Sequence, residues 1–257
     1  MEHHNPAWHQ LQQTGVQSET TYMDAARKEM YPLFKHAPRK VLDIGCYAGG
    51  VGHGLKQSYP GVFVWGCEPN QEIAKIAATR LDKVTQQTTE QWGEAEISLL
   101  KEMDTVLFLD VLEHMYNPWG ELQFMAKHLL SSAQVLLSIP NVGHMSVMAN
   151  LARSNWAYEP AGILDVTHIR FFTAYEMRRL IYQTGFRIEE EKILSGGKPQ
   201  AIEKFPVNLD MGHLKITVRD LAHWQELHAI QFGFRIVIGA DNQLTADELE
   251  LRYGKHR

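Results

Sequence analysis

Residues 41–52 read Val-Leu-Asp-Ile-Gly-Cys-Tyr-Ala-Gly-Gly-Val-Gly, an apolar run that ends around an acid and then breaks into glycines. A short continuous apolar run is how a parallel strand buried on both faces reads. Glycines directly after it let the backbone turn sharply and open a helix N-terminus onto a ligand. The stretch predicts a strand over about 40–44, a ligand loop, and a helix over about 50–58. A nucleotide or nucleoside is the expected occupant. The spacing departs from the dinucleotide fingerprint G-x-G-x-x-G, because Tyr47 stands where the second glycine would let the backbone touch a pyrophosphate. A nicotinamide oxidoreductase is therefore disfavoured. A methionine-linked adenosine carries no phosphate and accommodates the bulkier residue.

A second β-rich run, 62–67, ends at Glu68, 25 residues beyond Asp43. In a doubly wound sheet an acid at about this distance lies at the tip of the adjacent strand and accepts hydrogen bonds from ribose hydroxyls. Residues 71–81 repeat alanine and isoleucine at helical spacing, and a short strand is expected at Val84. Residues 104–110 form a buried strand bounded by Asp104 and Asp110, which 111–115 are expected to continue. Asn117-Pro118 opens a helix, and 134–139 form a further strand closed by Pro140-Asn141. Alternating strands and helices imply parallel strands with right-handed crossovers and a ligand beyond their carboxyl ends, where Gly45, Glu68, Asp110 and Asn141 all fall.

The remainder completes an α/β, doubly wound, Rossmann-like fold. Its mostly parallel seven-stranded sheet carries helices on both faces and an N-terminal helical cap. The cap is expected over 1–36, with a helix at about 22–35, and the main domain over 37–257. Thr173 and Glu176 mark a capping box for a helix that ends at Gly185. Strands follow at 186–194 and 232–238, around an insertion at about 195–230. The tail from Asp241 is charged and expected to be solvated.

Composition narrows the function classes. A length of 257 residues with 44% apolar content fits one large α/β domain, and a formal charge of −5 argues against a sequence-independent nucleic-acid binder. Cys46 and Cys67 read as reduced thiols of a cytoplasmic protein. No run of about 18 apolar residues occurs, and the first residues show no cationic region leading into an apolar core, so neither membrane insertion nor export is expected.

With these residues in place, the chain resembles the class I S-adenosylmethionine-dependent methyltransferases over about 20–240. The resemblance is carried by 41–49, by Glu68, and by Leu109-Asp110-Val111-Leu112-Glu113-His114. Asp165-Val166-Thr167-His168-Ile169-Arg170-Phe171-Phe172-Thr173, Gly185-Phe186 and Gln231-Phe232 are similar to a bacterial branch associated with glycosyltransferases and the modification of cell-surface glycans. The resemblance implies S-adenosyl-L-methionine as cofactor and S-adenosyl-L-homocysteine as product. It implies that Asp43, Gly45, Cys46, Tyr47 and Gly49 surround the methionyl part, Glu68 holds the ribose, Pro69 borders adenine, and Asp110 with Val111 lines the floor under the sulfonium. Many relatives present an acid to the adenine amino group where this chain has Gln86-Gln87-Thr88-Thr89.

Methyl transfer to a hydroxyl calls for a group that removes a proton, and histidine is suited to this near neutral pH. Of the 13 histidines, His168 is the expected base or acceptor-binding residue, with Asp165 orienting it. The alternative is that both make structural hydrogen bonds that fix their loop. His114 is expected on the strand-four rim, either shaping the methyl site or satisfied there. Arg170 either clamps an anionic acceptor or forms a surface ion pair beside core aromatics. No metal ligands are expected, since no paired Asp/Asn cluster falls at the strand ends and the histidines lack H-x-x-x-H spacing except incidentally. The reading is a hydroxyl methyltransferase of a sugar, glycan or related small molecule. Its alternatives are nitrogen or carbon methylation, a nicotinamide oxidoreductase, and a cofactor-binding protein without turnover.

Overall fold

Strand β1, Lys40–Ile44, and helix α1, Gly50–Ser58, stand on either side of the glycine loop where the apolar run and its punctuation predict them. The computed structural model describes residues 23–196, 201–202 and 204–239. The chain continues through β2 (Phe63–Cys67), α2 (Gln71–Ala77), β3 (Lys83–Thr85), α3 (Glu94–Leu100), β4 (Thr105–Leu109), α4 (Pro118–His128), β5 (Gln134–Pro140) and α5 (Met145–Leu151). It ends with α6 (Ala174–Gln183), β6 (Phe186–Ser195), β7 (Val207–Asp210), β8 (Lys215–Val218), α7 (Leu221–His228) and β9 (Gln231–Ile238).

Seven strands form one sheet in the order β3-β2-β1-β4-β5-β9-β6. The first five are parallel, and β9 runs antiparallel to both β5 and β6. Successive residues of the central strands enter opposite cores. Leu42, Trp65, Phe108 and Leu137 pack on one face, while Val41, Val64, Leu107 and Leu136 pack on the other. The sheet is therefore covered on both sides, which is why its strands read as unbroken apolar runs rather than alternating ones. The strand order reverses between β1 and β4, and at such a switch point helices diverge to opposite faces and leave a crevice at the carboxyl ends. Ile44 pairs with Cys67 and with Phe108, so Gly45, Glu68 and Asp110 emerge together on that rim.

Two expectations change. The helix expected at 22–35 is, within the described residues, a 3-10 helix at Lys28–Leu33 that contains Pro32 and buries Met30 and Leu33. Proline supplies no N–H for an α-helical bond there. Residues 1–22 of the expected cap lie outside the described residues, as does the tail from 240. The strand ending at Leu109 does not run on through 111–115. Asp110 turns left-handed (φ 58°) and Leu112–His114 form a single 3-10 turn. The insertion at 195–230 contains the two-stranded β7–β8 sheet and α7, packed over Val218, Trp224 and Leu227.

Helix α1 carries three glycines, a poor composition for a helix on propensity alone. At Gly54 the reason is close approach, because a Cβ there would lie 2.4 Å from the Cβ of Ala26. The absent side chain lets the segment before Lys28 lie directly across the helix, which brings Arg27 to the sheet rim. Gly66 in β2 is similarly enclosed, with a Cβ falling 2.5 Å from Cys46 Sγ and 2.6 Å from Leu81 Cδ1. Gly66→Ala is expected to destabilise the fold by about 1–3 kcal/mol through overpacking. Denaturant unfolding would measure this, and an unchanged midpoint would show that Cys46 and Leu81 yield freely.

Candidate active site

The crevice at the switch point is a cavity of about 890 Å³, within the range for a drug-sized ligand. Its floor is the glycine loop and the carboxyl ends of β1, β2 and β4. Its far wall is the segment 160–168. Of the residues named from the sequence, Asp43, Gly45, Cys46, Tyr47, Glu68, Asp110, Val111, His114, Asp165 and His168 line it. Gly49 and Pro69 fall outside the lining; Gly49 (φ 80°) precedes α1 and backs onto Leu81 and Ala77.

Backbone conformation concentrates at this rim. Gly45 (φ 66°), Tyr47 (φ 47°) and Asp110 (φ 58°) are all left-handed, a region that costs most side chains energy and recurs at ligand sites. At Gly45 a Cβ would lie 2.7 Å from Val111 Cγ2, so the loop is a cradle that only glycine leaves open. Tyr47 is held by its amide, which donates to Glu68 Oε2 at 3.1 Å, while Asn70 N donates to Oε1 at 2.8 Å. Each oxygen of Glu68 thus keeps an acceptor site. Burial pushes the Glu68 carboxyl up, against the effect of these two amides.

Asp43 is buried, and its Oδ2 has no hydrogen-bond partner. Burial, with the neighbouring Glu68 carboxylate, pushes its carboxyl up to about 7. Asp110 is bound tightly by contrast. It accepts from Arg27 and Gln231, and from Ser138 Oγ at 2.9 Å, joining the N-terminal segment, β4, β5 and β9. These bonds explain why the chain turns at Asp110 instead of extending. Asn141, expected on the ligand rim, is buried outside the cavity lining. Its Nδ2 donates to the Glu226 and Ala229 carbonyls, and its Oδ1 accepts from Gly143 N.

The wall opposite the glycine loop carries Glu113, His114 and His168. Glu113 is 1% exposed and His168 8%. His168 Nδ1 lies 3.0 Å from the Ile163 carbonyl, so that nitrogen carries the proton and Nε2 faces Glu113 Oε1 at 3.9 Å. His114 Nδ1 lies 3.2 Å from both the carbonyl and the hydroxyl of Thr167. The imidazoles meet edge to face at 4.8 Å. Asp165 holds Thr167 through its amide at 2.8 Å and its hydroxyl at 2.6 Å. Asp165 therefore acts on His114 through Thr167, and the Ile163 carbonyl, rather than Asp165, orients His168. Burial, then the neighbouring Asp110 carboxylate, pushes the Glu113 carboxyl well up. Burial and His168 push the His114 imidazole down.

Two cavity residues, Glu113 and Arg27, go beyond what the sequence assigns. The only sequence signal for Glu113 is its place beside His114, and nothing local marks Arg27. Arg170, considered as an anion clamp or a surface ion pair, instead donates to the backbone carbonyls of Ile169 and Tyr116 outside the cavity lining, while Phe172 is core.

The doubly wound sheet, the glycine cradle and the acid at the tip of β2 define a protein that binds a nucleoside-containing cofactor at its switch point. A family model described as a methyltransferase domain matches residues 8–191, and the chain belongs to that family. It is an S-adenosylmethionine-dependent methyltransferase. No curated protein matches the chain. Among solved structures the fold is similar to that of the plantazolicin methyltransferase BpumL in complex with SAH, with 15% identity, TM-score 0.58, and 92% of this chain and 91% of that one covered. It is also similar to a possible histamine N-methyltransferase from Thermotoga maritima (19% identity, TM-score 0.55, 90% and 100% covered). A third is the magnesium protoporphyrin IX methyltransferase from Synechocystis PCC 6803 with bound SAH (14%, 0.52, 93% and 90%).

Proposed function

We propose that the chain transfers a methyl group from S-adenosylmethionine to a hydroxyl of a neutral, oxygen-rich acceptor, a sugar, glycan or related small molecule, seated against Glu113, His114 and His168. One observation carries this reading: the wall facing the glycine cradle is lined by acids and imidazoles. Arg27, which lines the cavity, is bound to Asp110 and Glu29, and Arg170 lies outside the lining, turned onto backbone carbonyls. A phosphate or carboxylate acceptor calls for a cation at that wall, whereas a polyhydroxyl acceptor is served by hydrogen-bond acceptors.

The residues present fit the cofactor. The buried, unpartnered Oδ2 of Asp43 would face its ammonium, Glu68 would accept from the ribose hydroxyls, and the cradle at Gly45 leaves room a side chain would fill. When bound, the cofactor supplies a methyl group on a sulfonium, a leaving group that departs as a neutral thioether. The protein's part is to align. Asp110, tied to three strands and the N-terminal segment, and Val111 form a stiff floor, and the 160–168 wall would hold the acceptor across the cavity from the glycine loop. Holding the two reactants in line and away from water would be the protein's main contribution to rate. The Glu113–His114–His168 wall would take up the hydroxyl proton that methylation of the acceptor oxygen releases.

An amine acceptor is the second reading, because an acidic wall also suits a cationic amine. Release of S-adenosylhomocysteine would be measured with panels of sugars, polyols, amines and sugar phosphates. Faster release with neutral hydroxyl compounds is expected, release with amines alone would overturn the oxygen assignment, and release with sugar phosphates alone would overturn the argument from the wall. The reading includes a cytoplasmic setting, supported by two buried free cysteines, and an association with glycosyltransferases, supported by the resemblance of 165–173. Among the described residues no helix is long and apolar enough to cross a membrane.

A further inference from the structure

We propose that Glu113, His114 and His168 bind one divalent transition-metal cation on the acceptor side of the cavity. Three observations converge on these residues. One ligand atom from each lies within 4.8 Å of the others. Both carboxylate oxygens of Glu113, a residue only 1% exposed, lack any hydrogen-bond partner. A buried carboxylate without partners is costly, and a cation is a natural way to satisfy it. Each histidine also has its Nδ1 against a backbone carbonyl, Ile163 for His168 and Thr167 for His114, which leaves the Nε2 lone pair of each as the ligand. Orientation of a ligating imidazole through its other nitrogen is the usual outer-sphere arrangement, and here Asp165 supports one arm by holding Thr167.

Two imidazoles and one carboxylate suit Zn²⁺, Mn²⁺, Fe²⁺, Co²⁺ or Ni²⁺, whereas Mg²⁺ and Ca²⁺ favour all-oxygen sites. Ligand bonds of about 2.0–2.2 Å place donor atoms roughly 3–4 Å apart, so side-chain movements of about 1 Å close the set. Glu113 and His168 are buried, His114 keeps a solvent-facing edge, and all three line the cavity. Three protein ligands on one side leave coordination positions open to the cavity, as in catalytic metal sites. An acceptor oxygen taken there would lose its proton more readily. This last step rests on the methyl-transfer reading; binding of the ion does not.

The test uses the full chain with His3→Ala and His4→Ala, which removes the adjacent terminal histidines as competing ligands. Protein dialysed against chelator is titrated with Co²⁺ and Zn²⁺ by calorimetry, with the visible spectrum of the Co²⁺ form recorded. One equivalent bound at micromolar Kd or tighter is expected, with ligand-field bands of a nitrogen and oxygen site. Glu113→Gln and His168→Ala should each weaken binding at least tenfold, while His53→Ala on α1 should not change it. Absence of a one-equivalent phase in the parent protein overturns the site whatever the variants do, and so does binding that survives Glu113→Gln and His168→Ala. Cation binding without acceleration of S-adenosylhomocysteine release overturns only the acceptor-oxygen step. Cation binding with no release from any acceptor would count against the methyl-transfer reading and leave the site standing.

Discussion

Glu68→Ala is expected to weaken S-adenosylhomocysteine binding about a hundredfold, on the order of 3 kcal/mol, with little change in thermal stability. Two effects add. The carboxylate is proposed to accept from both ribose hydroxyls, and hydrogen bonds to a charged group contribute about 1.5–3 kcal/mol each, net of exchange with water. The same carboxylate holds the amide of Tyr47, a left-handed residue at the tip of the glycine loop. Removing it frees a strained turn to relax away from the ligand-binding conformation. Glu68→Gln keeps one acceptor oxygen and should lose only about tenfold. Calorimetry on both variants gives the comparison. A Kd for Glu68→Ala within twofold of the parent would remove Glu68 from the ribose assignment.

Asp43→Asn is expected to abolish a pH dependence that the parent protein shows in both stability and cofactor affinity. The folded carboxyl is raised to about 7, above the unfolded value of about 3.9. The folded state therefore holds this proton more tightly than the unfolded state does. Its contribution to stability is greatest below about pH 4, declines as pH rises toward 7, and is constant above. The decline amounts to about 2–4 kcal/mol from a shift of roughly three units at 1.36 kcal/mol each, reduced for local relaxation. Asparagine carries no charge, so the variant should lack this slope and be the more stable protein at pH 8. Affinity runs the other way. If Asp43 faces the cofactor ammonium, binding requires the carboxylate and should tighten about tenfold between pH 6 and 8 in the parent and stay flat in Asp43→Asn. Chemical denaturation and calorimetry at pH 5, 6, 7 and 8 would decide, and parallel curves for the two proteins would remove Asp43 from both roles.

These expectations join two kinds of legibility. The strands and the cradle could be read locally, since an apolar run ended by glycine has few other solutions, and β1 and α1 begin and end where residues 40–58 imply. Helix α6 likewise starts at the Thr173 cap, whose hydroxyl accepts from Glu176 N. Departures occur where a distant residue decides the backbone. Asp110 ends β4 because Arg27, Ser138 and Gln231 converge on its carboxylate from three other segments. Asn141 leaves the ligand rim because the α7–β9 connection takes its amide.

By itself, the sequence determined the doubly wound sheet, the glycine cradle and the acids at the tips of β1 and β2, because each depends on the residue pattern within one strand and its turn. Only the tertiary structure decided the opposite wall. Residues 113 and 168 are separated by two helices, a strand and a long connection, and neither burial nor the partner of a side chain is written in its neighbours along the chain. Packing of 160–170 against the turn after β4, fixed by the amides of Ile169 and Arg170 on the Glu113 carbonyl, brings a partnerless carboxylate and two oriented imidazoles to one face of the cofactor cavity.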